Sequence, residues 1–417
     1  MKKIGLTKST PSAYVIMASL LLLAIGCQKS KDMPPTPEEQ VQVESSKSKQ
    51  LKDFLQVNLV GNNNEYSPTR IDPTLINAWG IAFSSGGTPW VNSQGGHLSE
   101  VYNSEGGIAI PAVHIPSPGG NEGGNPTGII FNAVATDFII PSGPGSVVPP
   151  GPARFIFVGV DGIVSAWNNT WGNHAYLKFN NVGVSVYTGL TLANNNGVNH
   201  LYAADFKSGK IKVWDNNWNP VSMSFNDWHL PFGYSPYNIQ VVNGQLYVMY
   251  AKVGPDGRAQ RGEGKGFVNV FTTGGVFVKR FASKDKLNAP WGIAMAPATF
   301  FAQPLLDDDG ADKENHHGNG HGNGHNNTPQ PAILVGNFGD GRINAYSLNG
   351  KFLGQLRKHG HTLKIDGLWA ITFPPSTSTI DPNRLYFAAG PDDETDGLFG
   401  YIIKDSTEHE SGPHGND

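Results

Sequence analysis

Cysteine and charge are both scarce in this chain. The 417 residues include one cysteine, Cys27, so no disulfide can form within the chain. Asp, Glu, Lys and Arg make up 15% of the residues, against roughly 25% in ordinary globular domains. The formal net charge is −4, and no basic run stands in the second half. That balance argues against nucleic acid as a partner, which would call for a concentrated basic surface. Amphipathic helical periodicity is also missing, which excludes helical repeats. The apolar run from Ala13 to Ile25 is too short to cross a bilayer as a helix of about 20 residues. What is plentiful is glycine, with 52 residues, alongside many Asn, Ser and Thr. That composition suits short strands joined by tight turns in an extracytoplasmic β protein.

The N-terminus reads as a targeting segment. Lys2, Lys3 and Lys8 precede the apolar run, which ends in Leu23-Ala24-Ile25-Gly26-Cys27. Small residues before a lone cysteine resemble a bacterial lipobox, in which the cysteine becomes the acylated N-terminus. Residues 1–26 are therefore expected to be a lipoprotein signal peptide, with Cys27 as the lipidation site. Removing three lysines takes the formal charge from −4 to −7. Residues 27–50 are rich in Pro, Glu, Gln, Ser and Lys, cannot bury enough surface to fold, and read as a disordered tether. Within it, Gln28-Lys29-Ser30-Lys31-Asp32 resembles the short charged signals that send some Bacteroidetes-type lipoproteins to the cell surface. The expected location is extracytoplasmic and membrane-anchored, at the outer membrane or cell surface.

One pattern recurs along residues 51–404. Its clearest copies are Leu201-Tyr202-Ala203-Ala204-Asp205-Phe206, leading through Gly209 to Ile211-Lys212-Val213-Trp214, and Ile333-Leu334-Val335-Gly336-Asn337-Phe338, leading through Gly341 to Ile343-Asn344-Ala345-Tyr346. A strand-rich repeat of roughly 45–60 residues indicates a β-propeller. Six inner strands are expected to begin near Trp79, Thr127, Thr188, Tyr237, Trp291 and Trp369, at spacings of 48, 61, 49, 54 and 78 residues. The two long gaps contain low-complexity inserts, Pro141–Pro152 and 307–330. The predicted fold is all-β, a six-bladed β-propeller. Its third blade takes a fourth strand near Val221-Ser222-Met223. Its last blade lacks an outer strand, which Asp53 to Val60 supplies, closing the ring. Residues 405–417 read as a disordered tail.

Three places carry candidate chemistry. His316, His317, His321 and His325 lie in the second insert, where Gly and Asn spacers give no fixed metal geometry. Asp392, Glu394 and Asp396 alternate before Gly397, like the start of a calcium loop. The twelfth position is Ile403 and helical flanks are missing, so an EF-hand is excluded. The third place is the channel mouth, where Asn77, Asn125, Asn238, Asn288 and Asp366 precede inner strands and Asp205 and Asn337 hold matching positions in two blades. Such a ring of oxygens could hold one divalent cation (Ca, Mg or Zn) or bond a sugar-like ligand. The competing reading is that these residues cap turns. Trp79, Trp291 and Trp369 share one register, which points to packing between blades over stacking on a ligand.

The Leu201–Ile211 copy resembles an NHL-type repeat. Asn77-Ala78-Trp79-Gly80, Gly151-Pro152-Ala153-Arg154-Phe155-Ile156-Phe157, Ala203-Ala204-Asp205-Phe206, Asn337-Phe338-Gly339-Asp340-Gly341-Arg342 and Ile365-Asp366-Gly367-Leu368-Trp369-Ala370 resemble the motifs of a family of uncharacterised secreted bacterial propellers, over residues 54–403. More distant resemblances reach gluconolactonase-like hydrolases and streptogramin-lyase-like propellers. The first would imply a cation held by a Glu, Asn residues and an Asp. No Glu stands at an inner-strand start, since Glu65 and Glu122 sit in loops. The second would imply a histidine at the mouth, and of the histidines His359 and His361 lie nearest Asp366. The expected function is a binding or scaffold module at the cell envelope, presenting its mouth to a protein, peptide or glycan. The alternative is a metal-dependent hydrolase or lyase.

Overall fold

The computed structural model describes residues 50–302 and 329–405. Cys27, the signal segment, most of the tether, the four insert histidines and the tail beyond Asp405 lie outside the described residues. Six small sheets form a β-propeller, antiparallel except where the two-residue strand Arg70–Ile71 pairs parallel to Phe54–Gly61 at the edge of the sixth. Blade 1 comprises Ala78–Phe83, Pro89–Ser93, Leu98–Val101 and Val113–His114, and blade 2 comprises Pro126–Phe131, Phe155–Gly159, Ile163–Trp167 and Tyr176–Asn180. Blade 3 has Tyr187–Asn195, Val198–Asp205 and Lys210–Asp215, and blade 4 has Tyr234–Val242, Gln245–Lys252, Gly266–Phe271 and Phe277–Ser283. Blade 5 runs through Pro290–Ala296, Ala332–Asn337, Ile343–Tyr346 and Phe352–Gln355. Blade 6 begins with Leu368–Thr372, Leu385–Ala389 and Leu398–Lys404.

The fourth position of blade 6 is taken by Phe54–Gly61, antiparallel to Leu398–Lys404 with Phe54 opposite Lys404. The ring is thus closed by the N-terminal strand, as expected from the missing outer strand of the last blade. A corrected detail is the outer edge of blade 3. The segment at Val221–Met223 forms no strand; it touches the blade through a Trp214–Pro220 bridge and a Val221 N–H bond to the Val213 carbonyl. Asn217 and Asn219 turn back onto Asp215 there, and Pro220 has no N–H to donate to a ladder.

Each inner strand packs against the next around the axis, and the sixth against the first. Small residues make this possible. A Cβ on Gly80 would lie 2.3 Å from the Thr127 carbonyl oxygen, and one on Gly189 would lie 2.0 Å from Asn238 Oδ1. Sheet faces bury alternate apolar residues between blades. An example is the cluster of Val248, Tyr250 and Phe267 from blade 4 with Tyr202 and Val213 from blade 3.

The inner strands all run away from one face, here the mouth. Strand polarity then places Phe54 and Lys404 on the opposite face. There Gln50 Nε2 donates to the Gln330 carbonyl at 3.2 Å, and Leu51 packs with Phe54, Phe300 and Phe301.

Candidate functional site

A cavity of about 590 Å³ opens at the mouth, within the usual range for small-molecule sites. Its floor is aromatic. Trp79 and Trp369 are the second residues of their inner strands, so both point to the axis. They stack at 3.5 Å between centroids and 14° between planes, and Phe338 also stacks on Trp369 at 3.8 Å. Trp291, at the same register, meets both indoles edge-on at 6.5 and 6.0 Å. The repeated tryptophans therefore pack between blades as expected, against one another near the axis. Phe206 and Tyr237 complete the floor. Two floor residues bury polar atoms without a hydrogen-bond partner among the described residues, Trp79 at Nε1 and Thr188 at Oγ1. The indole of Trp369 donates to Asn77 Oδ1 at 2.8 Å and that of Trp291 to the Thr188 carbonyl at 2.8 Å.

The walls come from two loops. Residues 253–265 of blade 4 bring Asp256, Arg258 and Arg261. Their tip is a tight turn in which Arg258 N–H donates to Asp256 Oδ1 at 3.0 Å and Gly257 takes a left-handed φ of 78°. Facing them is the turn after blade 6's second strand, where Asp392, Asp393 and Glu394 have φ of 50°, 51° and 74°. Three consecutive non-glycine residues in the left-handed region are strained, and such strain gathers at ligand and active sites.

This turn puts Glu394 in the mouth. Its Oε2 accepts from Asn77 Nδ2 at 3.1 Å, and its Oε1 lies 4.0 Å from Arg261 Nη2. Arg261 Nη1 donates to Asp393 Oδ1 at 3.0 Å, and its guanidinium lies 4.6 Å over the Phe338 ring. Burial pushes the Glu394 carboxyl above its ordinary pKa, against the pull of Arg258 and Arg261. Asn77 also donates to Gln94 Oε1 at 3.0 Å, and Gln94 Nε2 donates to Asn125 Oδ1 at 2.9 Å. One side of the mouth is therefore a continuous network, Trp369–Asn77–Glu394 with the Gln94–Asn125 branch.

Other expected mouth residues are bound to backbone groups, most of them in turns. Asp205 accepts from Val186 N–H at 3.0 Å, and Asn337 from Asn288 N–H at 3.1 Å. In blades 1 and 2, Ser93 and Asp161 accept from Ile76 and Asn125 N–H at 2.8 and 2.9 Å. A polar side chain at or just past the end of the second strand thus fixes the entry to the first in four blades. Asn238 donates to the Trp291 carbonyl at 2.8 Å, and Asn288 accepts from Gly262 N–H at 2.6 Å. Asp366 is exposed and accepts from Asp392 N–H at 3.1 Å.

The three alternating carboxylates diverge. Asp392 Oδ2 accepts from Thr395 Oγ1 at 3.0 Å, Glu394 enters the mouth, and Asp396 accepts from Asn62, Asn63 and Tyr66 at 2.9, 2.9 and 2.8 Å. No group of three His, Cys, Asp or Glu side chains is arranged to hold a metal among the described residues. No histidine lines the cavity. His361 sits on a short hairpin, Arg357–Lys358 with His361–Thr362, and His359 at its tip.

The sequence reading missed Arg258, Arg261 and the role of Glu394. The available signal was the run of Gly254, Gly257, Gly262 and Gly264 around Asp256, Arg258, Arg261 and Glu263, which marks a long turn-rich excursion.

No family model matches the chain. Among solved structures, it is similar to a streptogramin B lyase, at 12% identity over 84% of this chain and 96% of that one, with a TM-score of 0.43. It is also similar to a protein of unknown function from Bacteroides thetaiotaomicron, at 9% identity over 84% and 76% of the two chains, with a TM-score of 0.47. Two uncharacterized proteins of Acanthamoeba polyphaga mimivirus are closer in sequence. Each is 31% identical over 84% of this chain, covering 80% and 86% of the viral proteins. The chain belongs to the same protein family as these two viral proteins.

Proposed function

We propose that this protein is a lipid-anchored, extracytoplasmic binding module whose ligand enters the propeller mouth. The observation that carries this reading is the aromatic-floored cavity with a rim of Arg258, Arg261, Asp256, Asp393 and Glu394. An apolar floor with a few converging polar groups is the usual form of a small-ligand site. The anchored part of the reading rests on Cys27 and the apolar segment before it, which resemble a bacterial lipobox. The chain joins the ring at Phe54, on the face opposite the mouth. The test of the mouth is a thermal-shift screen of small molecules against the parent and Ala259→Trp, which puts a large side chain on a residue that lines the cavity. Compounds that stabilise the parent and not the variant support the reading; equal shifts in both refute it. For the anchor, Cys27→Ser should move the protein from the membrane fraction to the soluble fraction and abolish acyl labelling.

A hydrolytic reading has one favouring observation, the carboxylate of Glu394 held beside Asn77. With Gln94 and Asn125 these oxygens would be a partial ligand set for one divalent cation. Elemental analysis of residues 51–404 lacking 307–328 decides it: about one retained ion per chain supports that reading, and none removes it.

A further inference from the structure

The rim of the mouth carries charges of both signs. Asp256, Asp393 and Glu394 face Arg258 and Arg261 across an aromatic floor. A near-balanced rim does not steer a strongly charged ligand, whereas a single-sign rim would. The floor offers ring surface and ring edges to carbon, and the rim offers planar hydrogen-bonding groups to oxygen. Those features fit an uncharged, oxygen-rich molecule with an apolar face.

Glu394 and Arg261 narrow the choice. Their closest atoms are 4.0 Å apart, too far for a hydrogen bond, so each keeps a direction of bonding unused toward the other. Each is nevertheless fixed in place, Glu394 by Asn77, Arg261 by Asp393 and the Phe338 ring. An acceptor and a donor side by side, both held before the ligand arrives, match two neighbouring hydroxyls: one donates to the carboxylate and the next accepts from the guanidinium. We propose that the mouth binds the terminal sugar of a glycan, with a vicinal diol spanning Glu394 and Arg261 and the C–H face of the ring against Trp79 and Phe206. This rests on the mouth being a binding site, and it names the ligand class.

The test uses the full chain on an array of defined oligosaccharides, with hits re-measured in solution by quenching of intrinsic tryptophan fluorescence. The expected result is a set of hits sharing a terminal vicinal diol. Methylation of that diol should abolish binding. Glu394→Gln and Arg261→Lys should each weaken it about tenfold or more, with no fall in melting temperature. Hits insensitive to both variants would overturn the proposal, as would an array without hits. A peptide library screened in parallel separates the two levels. Peptides bound by the parent but not by Ala259→Trp would leave the mouth as a site and dismiss the sugar. If neither library yields binding that Ala259→Trp blocks, the mouth reading falls with it.

Discussion

Thr188 and Trp79 bury hydrogen-bonding groups that nothing in the described protein satisfies. An unpaired buried hydroxyl costs about 1–3 kcal/mol. Thr188→Val removes the hydroxyl while keeping the branched shape, so it should raise stability by about 1 kcal/mol in denaturant unfolding. A loss of that size would show that the hydroxyl has a partner after all. Glu100, on the third strand of blade 1, is a second buried group with an outsized effect. Burial is the main reason its pKa stands at about 7, with Asp72 adding to it and a hydrogen bond from Thr74 opposing. Because the folded value lies above the unfolded one, the folded state binds the extra proton between them. Stability from this group is present at low pH and lost as pH rises from about 4.5 to beyond 7. Glu100→Gln should therefore stabilise the protein at pH 8 by about 1–3 kcal/mol and have little effect at pH 4. Equal effects at both pH values would contradict the assignment.

At the scale of elements, ring closure is the weak seam, because the chain's two ends meet there. Asp396 latches it: Asn62, Asn63 and Tyr66, just beyond the closing strand, all donate to its carboxylate. Burial alone would raise its pKa, but these bonds outweigh burial and hold it below the ordinary value. Its contribution is thus present at neutral pH and lost as pH falls through the folded pKa. Asp396→Ala strands three donors and should cost about 3 kcal/mol at pH 7, read as a lowered denaturation midpoint. Deleting residues 51–60 should be far more severe, leaving an open edge and an insoluble or poorly stable domain. A truncated protein that melts like the parent would contradict the closure. The closing strand was legible in the sequence because blade 6 lacked a fourth strand and residues 54–61 supply an extended apolar segment. The turn roles of Asp205 and Asn337 were legible for the same reason, since repeated residues in one register usually serve the repeat. Glu394 was not, because it meets Asn77 across 317 positions and its backbone conformation has no sequence signature. Arg261 belongs to a loop found in one blade only, so comparing blades gives no reason to single it out.

For the molecule as a whole, six inner strands starting on one face concentrate their first residues at a single point. Tryptophan at that register in three blades closes the axis and makes a floor; the irregular loops of blades 4 and 6 make the walls. Propellers host unrelated chemistries, so the fold alone does not assign function, and the account stands on the mouth. The measurement that tests it most directly is a crystallographic soak of a chemically diverse fragment library into crystals of the domain. The account predicts that fragments gather between the Trp79–Phe206 floor and the Glu394–Arg261 rim. Fragments bound only elsewhere, with the mouth empty throughout, would contradict it.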